Sequence, residues 1–328
     1  MRLKTNCLRD GLLSRPTGWR GLANLSVVIS LVSLGTAQEV NQKAFDSPED
    51  AAQALVEACA VNDVPRLVTI FGPSIRELIS SGDAISDKLT RKAFAEAFVE
   101  RHKLTPAGET RRVLHVGLEE WPFPIPIVKR GDAWQFETLE GSGELLRRRI
   151  SSNESAAIKV CRLYVELQRE YASKFHDQNT LPGVYAQKFL SDPGKHDGLY
   201  WKADGVGERS PAAALVELAE QEGYPGPERR PKPFHGYFFR ILMAQGTDAP
   251  DGAKSYFAEG EIGYLVDKKM TRGFALVAFP AKYRLSGVMT FIVNQDGIVY
   301  QRDLGEDTVE LGRKMREYNP DPSWEIAP

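Results

Sequence analysis

Five histidines, His102, His115, His176, His196 and His235, are the side chains best suited to acid–base or metal chemistry. Their spacing supports neither. No two stand four residues apart on one helix face and no CxxC occurs, so a zinc site is not expected. "HDQNTLPG" sets Asp177 and Asn179 at alternate positions, a partial calcium-loop pattern that lacks the glycine at the sixth position and the distant glutamate. No GxSxG, no SxxK set and no phosphate-cradling glycine loop is present. Cys59 in "ALVEACA" and Cys161 in "IKVCRLYV" have no nearby histidine. They read as small hydrophobes on helix faces, with a disulfide between them as the alternative. Glu119 and Glu120 adjoin, so on a strand they point to opposite faces and make a poor acid–base pair. No catalytic set, metal or cofactor is expected.

What remains is binding chemistry. Arg147, Arg148 and Arg149 adjoin Ser151 and Glu154, whose spacing matches a capping box. Arg148, Arg149 and Glu154 would form an anion or carboxylate clamp, or ion pairs tying two domains together. In "KHDGLYW", His196 and Asp197 share a loop with Tyr200 and Trp201. If that loop folds over the strand beginning "HGYFF", Tyr200, Trp201, His235 and Tyr237 would meet and could hold a glycan or peptide. The competing expectation is plain core.

Two classes of element must position these residues. In the first part, "SPEDAAQALVEACAVND" starts a helix with Ser47 as N-cap and Pro48 at its first position. "VPRLVTIFG" is a second helix and "TRKAFAEAFVERHK" a third. "RRVLHVGL", "FPIPIVKR" and "DAWQFET" then alternate as strands, with a turn at Gly131-Asp132 and an edge strand expected from the prolines of "WPFPIPI". This is a small α+β domain, residues 44–140. The second, residues 141–328, opens with a helix from Ser151 to about Ser173. Its buried face is Ala157, Val160, Cys161, Tyr164, Leu167 and Tyr171. After loops and a helix in "SPAAALVELAEQEG" come four antiparallel strands, "HGYFFRILMA", "GFALVAFP", "GVMTFIVN" and "GIVYQRD". The last two are joined at Asp296-Gly297, and "GEDTVELGRKMREY" closes as a helix.

The N-terminus carries Arg2, Lys4, Arg9, Arg15 and Arg20 before "LANLSVVISLVSLGTA". That is the form of a secretory signal, residues 1–37, cleaved after Ala37 and followed by a polar leader, 38–43. The mature chain then holds 37 basic and 43 acidic residues, net −6. This disfavours nucleic acid and anionic membrane surfaces as partners. No later segment is apolar enough to cross a bilayer, so no stable membrane insertion is expected after signal cleavage.

"FHGYFFRILMAQG", "GFALVAFPAKY", "SGVMTFIVNQDGIVYQRDLG", "NESAAIKVCRLYVELQREYA" and "KHDGLYW" resemble the bacterial exported proteins grouped as domain of unknown function 2950, over roughly residues 44–326. That resemblance implies export into a Gram-negative envelope and no established activity. More weakly, the long helix followed by the antiparallel strands is similar to the globular half of type IV pilins and pseudopilins. Those polymerise through an apolar segment ahead of the helix, where this chain has "ELLRRRI". The first domain is similar, in element order, to nuclear transport factor 2-like proteins, a cone-shaped α+β fold with room for a pocket. The expectation is a monomeric periplasmic or secreted protein. It binds an envelope protein, peptide or glycan without catalysis. The alternative is a periplasmic hydrolase of cell-wall or peptide substrates, built around His196, Asp197 and His235.

Overall fold

The first helix, α1 (Pro48–Ala60), begins where Ser47 accepts the Asp50 amide at 3.0 Å with Pro48 next in line, as a helix start requires. The structure, a computed structural model, describes residues 42–176, 182–202, 208–226, 232–257 and 269–328. The expected signal and most of the polar leader lie outside these residues, as do Asp177 and Asn179. The chain divides into two units, one of residues 1–79 and 90–145, the other of residues 80–89 and 146–328. Secondary structure is mixed, with several helices and mainly antiparallel sheets.

In the first unit α2 (Val64–Phe71) follows α1, capped by Asp63 and stopped at Gly72, whose φ is 84°. Its sheet contains β1 (His102–Pro106), β2 (Arg111–Val116), β3 (Trp121–Pro122), β4 (Ile127–Arg130) and β5 (Ala133–Phe136). The order is β1-β2-β4-β5, with β3 paired to β2 alone. Gly131 makes the β4–β5 turn at φ 64°. After the single-turn α3 (Arg76–Ile79), the expected third helix is α4 (Ala84–Glu100), which starts earlier than expected. His102 and Lys103 belong to β1 instead. Asp83 supplies the helix start, accepting the Ile85 and Ser86 amides at 3.2 and 3.0 Å. The edge expected of "WPFPIPI" holds only for Trp121–Pro122. Ile127 onward lies between two strands, because all three prolines precede it and leave its amides free to pair. Leu55, Ile70, Leu114, Ile127 and Phe136 are buried in this unit's core. The Phe71 and Phe136 rings lie 4.9 Å apart.

The longest element, α5 (Thr138–Ala172, 35 residues), overturns one expectation. Ser151 is not a cap, because the helix already runs through it, and the two units divide within the helix, between residues 145 and 146. Gly141 lies inside the helix, where a Cβ would run into the backbone of Pro124 and Ile125. Close packing, not chain termination, requires glycine there. The Glu154 carboxylate is used elsewhere. It accepts the Val288 and Met289 amides at 2.9 and 3.0 Å.

The second unit's main sheet is built from β6 (Tyr237–Leu242), β9 (Ala275–Pro280), β10 (Met289–Asn294), β11 (Val299–Asp303) and β13 (Glu325–Ile326). Its order is β13-β11-β10-β9-β6, and every pairing is antiparallel. The expected four strands are present, and a short fifth from the C-terminus adds to β11. The Asn294–Val299 turn passes through Gly297 at φ 82°. Ala157, Cys161, Tyr164, Leu167 and Tyr171 of α5 share one core with Phe274–Phe279 and Phe291–Val293. The Tyr164 hydroxyl donates to the Ala275 carbonyl at 3.3 Å. Every residue of β9 is buried. "ALVAFP" is apolar without alternation because both of its faces are covered. The second cover includes the short helix Thr308–Lys314, where Gly312 sits against Phe279. That helix ends before Met315, and β12 (Glu317–Tyr318) instead pairs in parallel with β7 (Ala244–Gln245), which is also antiparallel to β8 (Lys254–Ser255).

A candidate ligand cavity at a free sheet edge

A cavity of about 1050 Å³ opens along β6 within the second unit. That volume is at the upper end of the range for ligand pockets. Phe239 and Ile241 of β6 form its floor. Val160 of α5, with Leu215 and Val216 of α6 (Ala213–Gln221), forms one wall, and Met315–Glu317 stands on another side. Val160, predicted to be core, is only half-buried, because it faces this space. A smaller apolar void of about 120 Å³ shares Val160, Phe189, Leu215 and Val216 with it and reaches Tyr200.

The start of β6 fixes the geometry. Phe234 and Tyr237 exchange two backbone hydrogen bonds, at 2.8 and 3.1 Å, across His235 and Gly236. Both of those have positive φ, 48° and 78°. This is the geometry of a two-residue primed turn, in which His235 stands where asparagine is common. It also sets which backbone groups face outward. Tyr237 bonds outward to Phe234, and Gly236 bonds inward to Ala281. In an antiparallel ladder the pattern alternates, so Phe238, Arg240 and Leu242 bond to β9 while Phe239 and Ile241 face the cavity. Pro280, which has no amide to give, sits opposite Tyr237, and Met243 again bonds outward, to the Tyr256 amide at 3.0 Å. Among the described residues, the backbone groups of Phe239 and Ile241 have no partner on the cavity side.

Charge is distributed unevenly around this edge. Four basic side chains, Lys188, Lys232, Arg240 and Arg316, line the cavity against two acids, Asp192 and Glu317. Lys188 is already paired with Asp192 and Asp197, at 2.9 and 2.7 Å. Arg240 donates to the Gly312 carbonyl at 3.2 Å, and its Nε has no hydrogen-bond partner among the described residues. Partial burial and the neighbouring Arg316 charge both pull the Arg240 guanidinium below its ordinary value. A site that disfavours its own cation in this way is relieved by an anion.

At the turn end of the cavity lies a polar cluster. The Tyr224 hydroxyl donates to Asp83 at 2.9 Å, and the Gly236 amide donates to the same carboxylate oxygen at 3.0 Å. Burial, together with Asp83, raises the Tyr224 hydroxyl well above the ordinary tyrosine value. His235 Nε2 stands 3.2 Å from Glu222.

The residues singled out from sequence fall into separate places. Arg148, Arg149 and Glu154 lie within α5, the last engaged with β10. His196 packs on Trp201 with ring centres 4.4 Å apart, and the Tyr171 hydroxyl donates to the His196 carbonyl at 2.7 Å. Trp201 is buried and its indole donates to the Glu208 carbonyl. Asp197 braces its own loop through the Asp192 amide and Lys188. Tyr237 is fully buried, its hydroxyl donating to the Met289 carbonyl at 2.9 Å. Tyr200 touches the small void and His235 lies beside Glu222, so the four aromatic and histidine residues do not form one cluster. No group of three metal-ligating side chains occurs among the described residues. No helix among them is long and apolar enough to cross a membrane.

A family model described as "Protein of unknown function (DUF2950)" matches residues 42–327. The chain belongs to that family. No curated protein and no solved structure matches it. In this DUF2950 chain, sequence reasoning missed Phe239, Ile241, Arg240, Arg316, Tyr224 and Asp83. One signal was available: Arg240 is a lone charge inside the apolar run "YFFRIL". Cys59 and Cys161 are both free and buried.

Proposed function

We propose that this is an exported binding protein of the Gram-negative envelope, with the β6 cavity as its binding site. Its expected partner is an envelope protein, peptide or glycan, and it works as a monomer. The observation that carries the reading is a large, mostly apolar cavity in which, among the described residues, the Arg240 Nε and the backbone groups of Phe239 and Ile241 are left without partners. Such a site complements a ligand with an apolar body and an anionic group. On this reading the second unit is a pilin-like module, α5 sheathed by an antiparallel sheet, that has lost self-assembly. The first unit is NTF2-like.

The test uses the anionic apolar dye 1-anilinonaphthalene-8-sulfonate with the mature chain. Saturable one-site binding, weakened about tenfold or more by L215E, supports the reading, since a buried carboxylate would repel the dye and polarise the wall. Dye uptake that L215E leaves unchanged, or no saturable uptake, overturns it.

One observation favours a second reading, a hydrolase. His235 Nε2 lies 3.2 Å from the Glu222 carboxylate beside the cavity, without a hydrogen bond between them, and a small rotation of either side chain would give a histidine–carboxylate pair able to act as a base toward water. Dye release from labelled cell wall, or cleavage of a chromogenic peptide, that disappears in H235A would establish it. Retention of dye binding without any such turnover would leave the binding reading alone.

A further inference from the structure

We propose that the free edge of β6 takes an extended polypeptide segment as an added strand, with an acidic side chain of that segment set against Arg240 and Arg316. This rests on the binding reading above and specifies its ligand. Three observations converge. Phe239 and Ile241 offer paired backbone donors and acceptors two residues apart, the repeat that an incoming strand matches. The cavity lies against that edge, with Phe239, Arg240 and Ile241 among its lining residues. Beyond Phe239 the Tyr237 end is closed by its own turn, and at the other end Met243 is bonded to Tyr256.

Side-chain alternation then sets the guest sequence. A guest residue opposite Phe239 or Ile241 points to their face of the sheet, toward Val160, Leu215 and Val216, and must be apolar. A guest residue opposite Arg240 shares the Arg240 face. There it meets a guanidinium whose Nε is unpartnered, beside the exposed Arg316. A carboxylate is the group that satisfies both. The chain as a whole carries net −2, so this basic rim is local and selects for acidic segments rather than reflecting overall charge.

Hydrogen exchange read residue by residue, with fluorescence anisotropy, tests the proposal on the mature chain. In the free protein, the Phe239 and Ile241 amides exchange fast and those of Phe238 and Arg240 slowly. A fluorescein-labelled heptapeptide alternating valine and aspartate binds saturably and slows exchange at Phe239 and Ile241. R316Q, a change at an exposed position, weakens that binding about tenfold. N-methylation of the peptide's alternate amides abolishes it, as does replacing aspartate by lysine. The proposal is overturned if Phe239 and Ile241 are already protected in the free chain. It is equally overturned if the free chain dimerises through that edge in sedimentation, or if the N-methylated or lysine peptide binds as well. Competition by dodecanoate, with no peptide protecting the edge, would also overturn it while leaving the dye-binding reading intact. Failure of the dye and the peptides together would remove both.

Discussion

Single side chains carry more of this architecture than their types suggest. Cys161 is fully buried and Cys59 nearly so, and burial pushes both thiols up to about 12. The folded chain therefore holds two protons that the unfolded chain releases from about pH 9 upward. Stability is full below that point and falls as pH rises toward about 12, by roughly 1.4 kcal/mol per pH unit for each thiol. The buried Tyr164 and Tyr237 hydroxyls, raised by the same cause, add to the loss at the alkaline end. Urea unfolding followed from about pH 8 to about pH 11 should show this decline. In C161A the slope should be shallower although that variant starts less stable; a midpoint indifferent to pH would contradict the burial argument. Gly312 gives a second prediction at this scale. A methyl group there would meet the Phe279 ring, so G312A should cost about 1–3 kcal/mol by overpacking. An unchanged urea midpoint would mean that the short C-terminal helix shifts freely.

At the scale of elements, local chemistry was legible and long-range contact was not. Ser47-Pro48 announced α1, Gly131 and Gly297 announced their turns, and the apolar spacing from Ala157 to Tyr171 announced the buried face of α5. Each depends on residues within a turn or two of one another. The start of α5 was misplaced because "SSNE" imitates a cap. What decides otherwise is the Pro124 backbone against Gly141 and the Val288 and Met289 amides on Glu154, neither of which spacing can show. The cavity was illegible for the same reason, since it lies among segments far apart in sequence. The turn that opens β6 was legible in principle, because His-Gly takes the place of Asn-Gly. Two substitutions test the continuous helix. S151P would be tolerated if a helix began there, but inside α5 it should cost about 3 kcal/mol or more. E154A strands two half-buried amides and should cost about 1–3 kcal/mol, with E154Q recovering part of it by keeping one acceptor. Circular dichroism with urea titration measures both, and a neutral S151P would restore the shorter helix.

For the molecule as a whole, the division of the chain into two units is not a division of the sequence into two halves. Residues 80–89 lie between segments of the first unit yet belong to the second. Asp83 is the reason. Its buried carboxylate takes the Tyr224 hydroxyl and the Gly236 amide and starts the helix at Ala84. Lys282 also reaches back to the Ser80 carbonyl at 3.2 Å. A fragment of residues 146–328 would contain every strand of the second unit's main sheet but not this acceptor. Tyr224 and Gly236 would then keep buried donors without partners, at about 1–3 kcal/mol each, next to the turn that opens β6. The fragment should accordingly unfold at lower urea than the same unit in the full chain. D83A in the full chain should reproduce most of that loss, and a synthetic peptide of residues 80–89 added to the fragment should recover part of it. Equal stability of fragment and full chain, read by near-ultraviolet circular dichroism, would show that β6 and its cavity are organised by the last 183 residues alone.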